Sequence, residues 1–396
     1  MKHASIVPLI GGETIGASAA YGRPPEYFLS YTPFKDNDQH IINHYDNEIP
    51  YYLLDENDPR SLPEVDIVHT VCPCAGLSML STSYGSDNEA NKWMYETANY
   101  VLGNVKPKVF WGENAPGLAN KIGEPVRKKL YSIGKSNGYS MSIFVTRSIL
   151  HGLPQVRNRS FYFFWQDDKV PIFNHYQRPH KKIQDLISEV KANTLTDPIN
   201  KKIPTEDPYY KFILEEIHGG ITHYDFFQQL DQIKSPHDVL TYIEHKGYTH
   251  LQIAEWMSKK GYEREVEKCK RRDAKLRSGG NIMRRGTIIP KDYIGAFVGH
   301  YPTMTAHPYE DRYISYREAL SIMGLPENFE LLNPKKNYNH ICQNVPVQTA
   351  TDMANEVKKY INGELVMIDA DFVIQNNVKK TYHADIRRPT VEEFLH

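Results

Sequence analysis

The stretch VCPCAGLS, Val71 to Ser78, directly follows an apolar run over residues 65–70. The run has the length of a buried strand, so the sequence predicts a strand that ends at the Pro73-Cys74 pair and continues into a Gly/Ser loop. Folds commonly present a nucleophile at such a strand end. A buried cysteine is nevertheless more often an apolar packing residue, and we interpret Cys72, deeper in the strand, in that way. Cys74 is a candidate nucleophile on this pattern, and a packing role stays open for it as well.

Composition and charge narrow the class of protein. The 396 residues are 40% apolar and 24% charged, which is typical of a globular protein with a large core. The 47 Lys and Arg nearly balance the 48 Asp and Glu, so any affinity for nucleic acid must come from a local basic patch. Four cysteines without a C-x2-C pairing predict neither a disulfide framework nor a metal site. With no signal-peptide pattern and no long apolar stretch, we expect a cytoplasmic protein without membrane contact.

Short apolar runs alternate with helical patterns through the first 165 residues. The sequence predicts strands at residues 5–10, 26–31, 51–54, 65–70, 105–112, 140–146 and 160–165. It predicts helices after the glycine turn at residues 11–12 and at residues 38–45, 88–102 and 123–137. This alternation is expected of a parallel sheet covered by helices, in which ligands bind at the carboxyl ends of the strands.

Glycines and polar residues stand at those predicted strand ends. Gly11 and Gly12 separate the first strand from a helix, as in a ligand-binding turn, although a plain turn is about as common. Asp55 suits a nucleoside or amine contact and is equally compatible with a solvated loop acid. Glu113 and Asn114 add an acid and an amide at the end of a further strand.

Three hydrogen-bond donors alternate along the segment that precedes the last of these strands. Gln155, Arg157 and Arg159 are spaced by two residues, so an extended backbone would put their side chains on one side. Such a row predicts a clamp for an anion or a base edge. The alternative is a solvated basic strand edge.

The middle of the chain carries a concentration of positive charge. Helical patterns at residues 249–260 and 263–277, separated by Gly261, have the outline of a helix-turn-helix. Between Lys259 and Lys291 there are twelve Lys or Arg and four Asp or Glu, an excess of eight positive charges. We consider this segment a candidate phosphate-contacting surface, with a helical insertion that only packs as the alternative. Its candidate contacts are Lys268, Lys270, Arg271, Arg272 and Lys275.

Taken in order, these pieces resemble the DNA cytosine-5 methyltransferase family. Its motifs are matched by Pro73-Cys74, by Glu113-Asn114, by the Gln-x-Arg-x-Arg run from Gln155 to Arg159, by the block from Arg312 to Pro326 and by Gln343-Asn344-Val345. Each fragment is common alone, whereas five in the family's order are not. The resemblance covers roughly residues 5–165 and 300–360 and implies an α/β fold, a Rossmann-like methyltransferase sheet with helices on both faces. A smaller, largely helical target-recognition domain would accompany it.

The resemblance also implies roles for the chemistry residues. Carbon 5 of cytosine is a poor nucleophile, so the Cys74 thiolate would first add to carbon 6 of a flipped base. Glu113 would act as the acid at ring nitrogen 3, and Arg159 would hold the carbonyl oxygen. Arg157 and Gln155 would support the loop. The Gly/Ser loop over residues 76–91, which includes Ser78 as a DNA contact, would close over the base.

The methyl donor implied by the family is S-adenosylmethionine, with S-adenosylhomocysteine as product and no metal. Its candidate contacts are Gly11, Gly12, Asp55, Pro73 and Asn344. The sequence departs from the family here, because the opening Phe-x-Gly-x-Gly-Gly is VPLIGG and the glutamate expected after the second strand is missing. The glycine of the closing block is replaced by Gln343.

The resulting hypothesis is a monomeric enzyme that methylates double-stranded DNA, as in restriction-modification. The catalytic domain would span residues 1–165 and return at 301–362, around a target-recognition domain at 166–300 with its helix-turn-helix at 249–277. Residues 363–396 have no assigned role. Two alternatives remain open, an RNA-methylating enzyme of the same family and a DNA-binding protein on an inactive methyltransferase scaffold. The middle segment lacks the Cys-Phe-Thr signature of the RNA branch.

Overall fold

The chain divides into two compact units. The computed structural model describes residues 1–31, 36–54, 62–78, 85–191, 202–230, 237–284, 286–299 and 301–385. The first unit comprises Met1–His180, Met323–Asn333 and Gln343–His396, and the second comprises Lys181–Ile322 and Pro334–Cys342. The sequence placed the first boundary at 165 and assigned 301–322 to the catalytic domain, whereas the compact division includes 166–180 in the first unit and 301–322 in the second.

Strands and helices alternate in the first half of the chain, and helices dominate the middle. The strands are β1 His3–Ile6, β2 Phe28–Ser30, β3 Tyr51–Leu53, β4 Ile67–Val71, β5 Val109–Asn114, β6 Ser140–Arg147, β7 Gln155–Val156, β8 Asn158–Trp165, β9 Val170–Ile172, β10 His237–Asp238, β11 Ile288–Ile289, β12 Ile294–Gly295, β13 Val366–Ile368, β14 Phe372–Asn376 and β15 Thr381–Asp385. The α-helices are α1 Gly12–Tyr21, α2 Asp36–His44, α3 Lys92–Tyr100, α4 Glu124–Ser136, α5 Ile183–Glu189, α6 Pro208–Phe212, α7 His223–Gln229, α8 Val239–His245, α9 His250–Lys259, α10 Glu263–Arg277, α11 Tyr316–Ile322, α12 Pro334–Asn337, α13 His340–Gln343 and α14 Val347–Ile361.

A nine-stranded sheet, counted over the described residues, forms the centre of the first unit. Its strand order is β15-β14-β6-β8-β5-β4-β1-β2-β3. The strands from β3 to β5 pair in parallel, as the sequence predicted, while β8 runs antiparallel between β5 and β6. Because β4 and β5 are buried throughout and run side by side, the residues that follow them emerge at one edge of the sheet.

Some strand limits differ from those predicted. Strand β1 ends at Ile6 rather than at residue 10, because Val7 and Leu9 have left-handed φ angles of 53° and 48°. Strand β5 begins at Val109 rather than at residue 105. The C-terminal segment, left unassigned from the sequence, adds β14 in parallel to β6 and β15 antiparallel to β14. Local patterns do not reveal such pairings, since the partner strands are distant in sequence.

Close helix packing brings a distant segment to the start of α1. A side chain at Gly16 of α1 would lie 2.7 Å from the Ala350 side chain and the Val347 carbonyl of α14, so the two helices pack backbone to backbone there. The residues just before α14 are thereby held at the glycine turn. This contact places Asn344 beside Gly12.

The second unit has its own aromatic core. That core includes Tyr210, Phe212, Phe226, Tyr242 and Trp256. Helix α9 begins with a reciprocal capping box between Thr249 and Gln252, and Gly261, with φ 76°, separates it from α10. The structure therefore contains the two predicted helices, while their role in DNA binding stays a prediction. No helix among the described residues is long and apolar enough to cross a membrane.

Candidate active site

The candidate catalytic residues of the first unit meet at neighbouring strand ends. Val71, the last residue of β4, is paired with Glu113 of β5, and Glu113 is in turn paired with Phe161 of β8. Cys74 follows β4 after two further residues, and Arg159 lies in β8 two residues before Phe161. Strand register therefore brings together side chains that are distant in the chain, since Cys74 and Arg159 are 85 residues apart.

Cys74 is half-buried in a tight turn. Its carbonyl accepts a hydrogen bond from the amide of Leu77 (3.1 Å). A side chain at Gly117 would lie 2.3 Å from the Leu77 carbonyl, so the turn packs directly against the loop after β5. Burial raises the pKa of the Cys74 thiol, Glu113 raises it further, and Arg159 and Arg157 oppose this rise. The pKa of this thiol therefore depends on the charges of Glu113, Arg157 and Arg159.

Glu113 and Arg159 form a buried ion pair. The Arg159 Nε atom contacts Glu113 Oε1, and the two side chains are 15% and 4% exposed. Arg159 Nη1 also donates to the carbonyl of Asn158 (2.8 Å). Neither Nε nor Oε1 has a hydrogen bond of good geometry within the described part of the chain. The pair therefore retains capacity for a further hydrogen-bonding partner.

Gln155 and Arg157 lie in the segment that precedes Arg159. Both are buried, while Val156 and Asn158 between and after them are more exposed, in agreement with the predicted alternation. Gln155 Nε2 donates to the sulfur of Met323 (3.2 Å). The Arg157 carbonyl accepts from the amide of Ser148 (3.0 Å), which fixes the backbone at this position.

Cys72 occupies a different environment from Cys74. It is 1% exposed, and its sulfur lies 3.6 Å from the hydroxyl of Thr70, 3.7 Å from that of Thr97 and 3.8 Å from that of Tyr162. Burial raises the pKa of its thiol, and these three hydroxyls oppose the rise. The contacts agree with the interpretation of Cys72 as a packing residue.

The glycine turn and Asn344 form a small polar cradle at the start of α1. The amide of Gly12 donates to Asn344 Oδ1 (2.8 Å), and a side chain at Gly12 would lie 2.3 Å from that oxygen. Asn344 Nδ2 is buried and has no hydrogen-bond partner among the described residues. Gly11 has φ 102°, and the strained Val7 and Leu9 precede it. An unpaired buried donor beside a helix N-terminus fits a ligand with a carboxylate or other polar acceptor.

For the two remaining cofactor candidates, Pro73 and Asp55, the structure gives less detail about their surroundings. Pro73 is half-buried beside Cys74, and Asp55 lies outside the described residues. The side chain of Gln343, which replaces the family's glycine, accepts a hydrogen bond from Asn37 Nδ2 (3.0 Å) in α2. This substitution therefore anchors α2 to the segment that carries Asn344.

The model of the C-5 cytosine-specific DNA methylase family matches residues 1–359. The chain belongs to this family. The type II methyltransferase M.MthTI of Methanothermobacter thermautotrophicus is 24% identical to this methylase over 313 residues, which cover 78% of this chain and 82% of that protein. M.AgeI of Thalassovita gelatinovora, also a type II methyltransferase, is 21% identical over 394 residues, covering 81% and 91%. Family membership supports DNA cytosine methylation as the activity.

Solved structures share the α/β methyltransferase fold. A protein of an E. coli prophage, described as a DNA modification methyltransferase, has a TM-score of 0.55 at 14% identity and covers 91% of this methylase and 99% of that chain. The Entamoeba histolytica methyltransferase EhMeth has a TM-score of 0.54 at 13% identity and covers 92% and 98%. At these identities the likeness concerns the fold alone.

The candidate DNA contacts of this methylase differ among themselves. Lys268 and Lys270 of α10 form ion pairs with Glu265 and Glu267 of the same helix. Arg272 lies over the ring of Tyr209, 5.3 Å from its centroid.

Arg271 and Lys275 are exposed on α10, and Ser78 is half-buried at the end of the described part of its loop. Lys270 is also exposed, so Arg271 and Lys275 differ from it in the ion pair that Lys270 forms with Glu267.

Proposed function

We propose that this chain transfers a methyl group from S-adenosylmethionine to carbon 5 of cytosine in double-stranded DNA through a covalent adduct at Cys74. The observation that carries the proposal is the meeting of Cys74, Glu113 and Arg159 at adjacent strand ends, with the acid and the guanidinium paired. A thiol, an acid and a fixed cation are the groups that addition to a pyrimidine ring requires.

In the proposed reaction the Cys74 sulfur forms a bond to carbon 6 of the flipped base. The ring electrons move toward carbon 5, and Glu113 donates a proton or hydrogen bond at nitrogen 3 to balance the developing charge. Arg159 holds the carbonyl oxygen. After methylation, a base or water takes the proton from carbon 5, the bond between the Cys74 sulfur and carbon 6 breaks, and the thiolate leaves. Nitrogen 3 returns any proton it took to Glu113, which restores the ring.

The electrostatics of the site support coupling between base binding and activation of the thiol. The negative charge of Glu113 raises the pKa of Cys74, and the two arginines lower it. When Glu113 engages the base as a neutral acid, its opposing effect on the thiolate disappears. The cysteine would then ionise more readily with the substrate in place.

The polar cradle is the proposed site for the methyl donor. Gly11 and Gly12 allow Ile41 and Asn344 to pack closely at the start of α1, Asn344 offers its unpaired Nδ2, and Pro73 and Asp55 complete the candidate set. The bound sulfonium supplies an electrophilic methyl group. The residues of the chain bind and orient it.

We further propose that the second unit recognises duplex DNA through α10. The exposed Arg271 and Lys275 are its first candidates for phosphate contacts, with Lys268, Lys270 and Arg272 as secondary ones. The type II names of the relatives suggest a partner nuclease of a restriction-modification system. We expect the enzyme to act as a monomer.

The test is transfer of label from S-adenosylmethionine to duplex DNA and to tRNA. We expect label in cytosine of duplex DNA only, and none with the Cys74→Ser variant. Bisulfite sequencing of DNA from expressing cells would then identify the methylated sequence. Label in tRNA alone would favour the RNA branch, while DNA binding without transfer would favour an inactive scaffold.

A further inference from the structure

Three titratable side chains form a line inside the core of the first unit. His3 of β1, His69 of β4 and Glu13, the second residue of α1, are each no more than 1% exposed. His3 Nδ1 lies 2.9 Å from His69 Nε2, and His69 Nδ1 lies 3.6 Å from Glu13 Oε2. At its far end, His3 Nε2 lies 3.0 Å from the carbonyl of Arg23.

The carbonyl of Arg23 sets the direction of the whole line. A carbonyl oxygen only accepts hydrogen bonds, so His3 Nε2 must carry a proton. If His3 is neutral, its Nδ1 is then an acceptor, and His69 Nε2 must donate to it. Once Nε2 of His69 is committed as a donor, only the state of its Nδ1, which faces Glu13, remains open.

His69 Nδ1 and Glu13 Oε2 face each other at 3.6 Å, slightly beyond hydrogen-bond distance, and neither atom has a hydrogen-bond partner among the described residues. A proton placed between them can be held by either group. If the proton is on His69, an imidazolium faces a carboxylate, and two charges are buried without water. If it is on Glu13, an uncharged carboxylic acid faces the bare Nδ1 lone pair. Neither Glu13 oxygen has a hydrogen bond of good geometry among the described residues, so a carboxylate there would replace little of its hydration beyond the attraction of the Thr70 amide. The uncharged arrangement therefore costs less.

We propose that Glu13 is a positioning residue, held as a neutral carboxylic acid that points its proton at His69 and thereby orients the first turn of α1. Glu13 directly follows Gly12, whose amide is bonded to Asn344. A neutral acid also leaves the positive end of the α1 dipole free for a ligand, whereas a carboxylate in the first turn would neutralise it. This last step rests on the proposed cofactor site.

The surroundings of Glu13 favour the neutral acid. The titratable groups that face it come from its own helix, from β4 and the residue after it, and from β5 and β8, and are Tyr21, His69, Cys72, Glu113 and Tyr162. Among them is no lysine or arginine. Burial raises the pKa of Glu13 well above its usual range, Glu113 raises it further, and the backbone amide of Thr70 opposes this rise without outweighing it. Burial likewise lowers the pKa of His69, and it lowers that of His3 to about 4.

Infrared spectroscopy of the protein without cofactor or DNA tests the proton position. At neutral pH the wild type should show the carbonyl stretch of a protonated carboxylic acid, and Glu13→Gln should lose it. Glu48→Gln, which removes an exposed glutamate, is the matched control and should keep it. Nitrogen NMR should find His3 and His69 protonated at Nε2 only. An imidazolium at His69, or loss of a carboxylate band in the Gln variant, would overturn the proposal.

Calorimetry with S-adenosylhomocysteine tests the positioning role. Glu13→Gln keeps a neutral donor toward His69, so its affinity should stay within about threefold of wild type. Glu13→Ala leaves the line without that donor and should bind about tenfold more weakly or worse. Equal losses in both variants would contradict the role. If the Ala variant does not fold, the Gln variant and the infrared result decide.

Failure of the proposed methyl transfer and failure of the inference about Glu13 give different experimental results. A chain that transfers no methyl group would still show the acid band and the Nε2 tautomers, because these belong to the protein alone. Conversely, an active enzyme whose Glu13 is ionised would refute the inference and leave the activity intact.

Discussion

Two buried arginine–glutamate pairs of this protein differ in how completely their atoms are bonded. In the second unit, Arg312 donates through both Nη atoms to both oxygens of Glu318 (2.9 and 2.8 Å), and the amide of Ser315 donates to the same carboxylate (2.7 Å). In the first unit, Arg159 Nε contacts Glu113 Oε1, and neither atom has a hydrogen bond of good geometry among the described residues. The Arg312–Glu318 pair has little hydrogen-bonding capacity left, so it suits a structural role. The Arg159–Glu113 pair keeps hydrogen-bonding capacity for a substrate.

The pKa of Glu318 reflects that complete bonding. Burial by itself would raise its pKa, but the hydrogen bonds from Arg312 and His307 outweigh burial and lower the pKa to about 2. His307 Nδ1 accepts from the amides of Tyr309 and Glu310, so its Nε2 faces Glu318 as a donor. A carboxylate bonded in this way stays ionised and takes no part in proton transfer. Glu113, by contrast, lies beside a titratable thiol.

The largest expected effect concerns the catalytic role proposed for Glu113. Glu113→Gln should lower label transfer by about 10²–10⁴-fold, the contribution of a positioned acid. Glu48→Gln is the surface control and should leave the rate unchanged. Retention of most activity in the Glu113 variant would mean that this pair is as structural as that of Arg312 and Glu318.

The next expected effect concerns how much Arg312 and Arg159 each contribute to the free energy of unfolding. Arg312→Met leaves the carboxylate of Glu318 buried and unpaired, so the free energy of unfolding should fall by about 3–5 kcal/mol. Arg159→Met should cost less, because Arg159 Nε and Glu113 Oε1 make no hydrogen bond of good geometry. Urea unfolding of both variants measures the difference. Equal losses would remove the distinction between the pairs.

A third expected effect concerns acid. The folded pKa of Glu318 is about 2, below its ordinary value of 4.5, so its contribution to stability is fully present above about pH 5 and is lost as pH falls toward 2. The contribution is on the order of 3 kcal/mol. Between pH 5 and 2, the thermal unfolding temperature should therefore fall more steeply with decreasing pH for wild type than for Glu318→Gln. Parallel curves would show that the carboxylate is not held in the ionised form.

The smallest expected effect extends the contrast between engaged and available charges to α10. Arg271→Gln together with Lys275→Gln should weaken DNA binding and lower the slope of log affinity against log salt by about two, one for each phosphate contact. Arg272→Gln is the matched comparison, since that arginine packs on Tyr209. The Arg272→Gln variant should mainly lower the free energy of unfolding and should change the slope of log affinity against log salt less than the double variant does. An unchanged slope in the double variant would argue against α10 as the DNA-contacting surface.

Much of the secondary structure was predictable because it depends on local patterns. The predicted helices at 38–45 and 123–137 correspond to α2 and α4, and the break at Gly261 separates α9 from α10. The antiparallel direction of β8 and the pairing of the C-terminal strands were not predictable in this way. Their placement depends on contacts such as that of Gln375 Oε1 with the amide of Phe173 (3.0 Å), 202 residues away.

The candidate site was predictable as a set of residues but not as an arrangement. Cys74, Glu113 and the donors from Gln155 to Arg159 have a recognisable order, whereas nothing in that order says that Glu113 pairs with Arg159. Glu13, His69 and His3 were missed altogether. Each stands alone in an apolar or glycine-rich stretch, and only strand register and the packing of α1 bring them into one line.

By itself the sequence determined the family, the order of the motifs and the residue types available for chemistry. It also favoured Cys74 over Cys72 from their positions along the strand. The tertiary structure decided which charges meet, which arginine–glutamate pair is saturated, and how three hydroxyls surround Cys72. The physical reason is that periodicity and residue chemistry are local properties, whereas hydrogen bonding and desolvation depend on which distant residues the fold brings together.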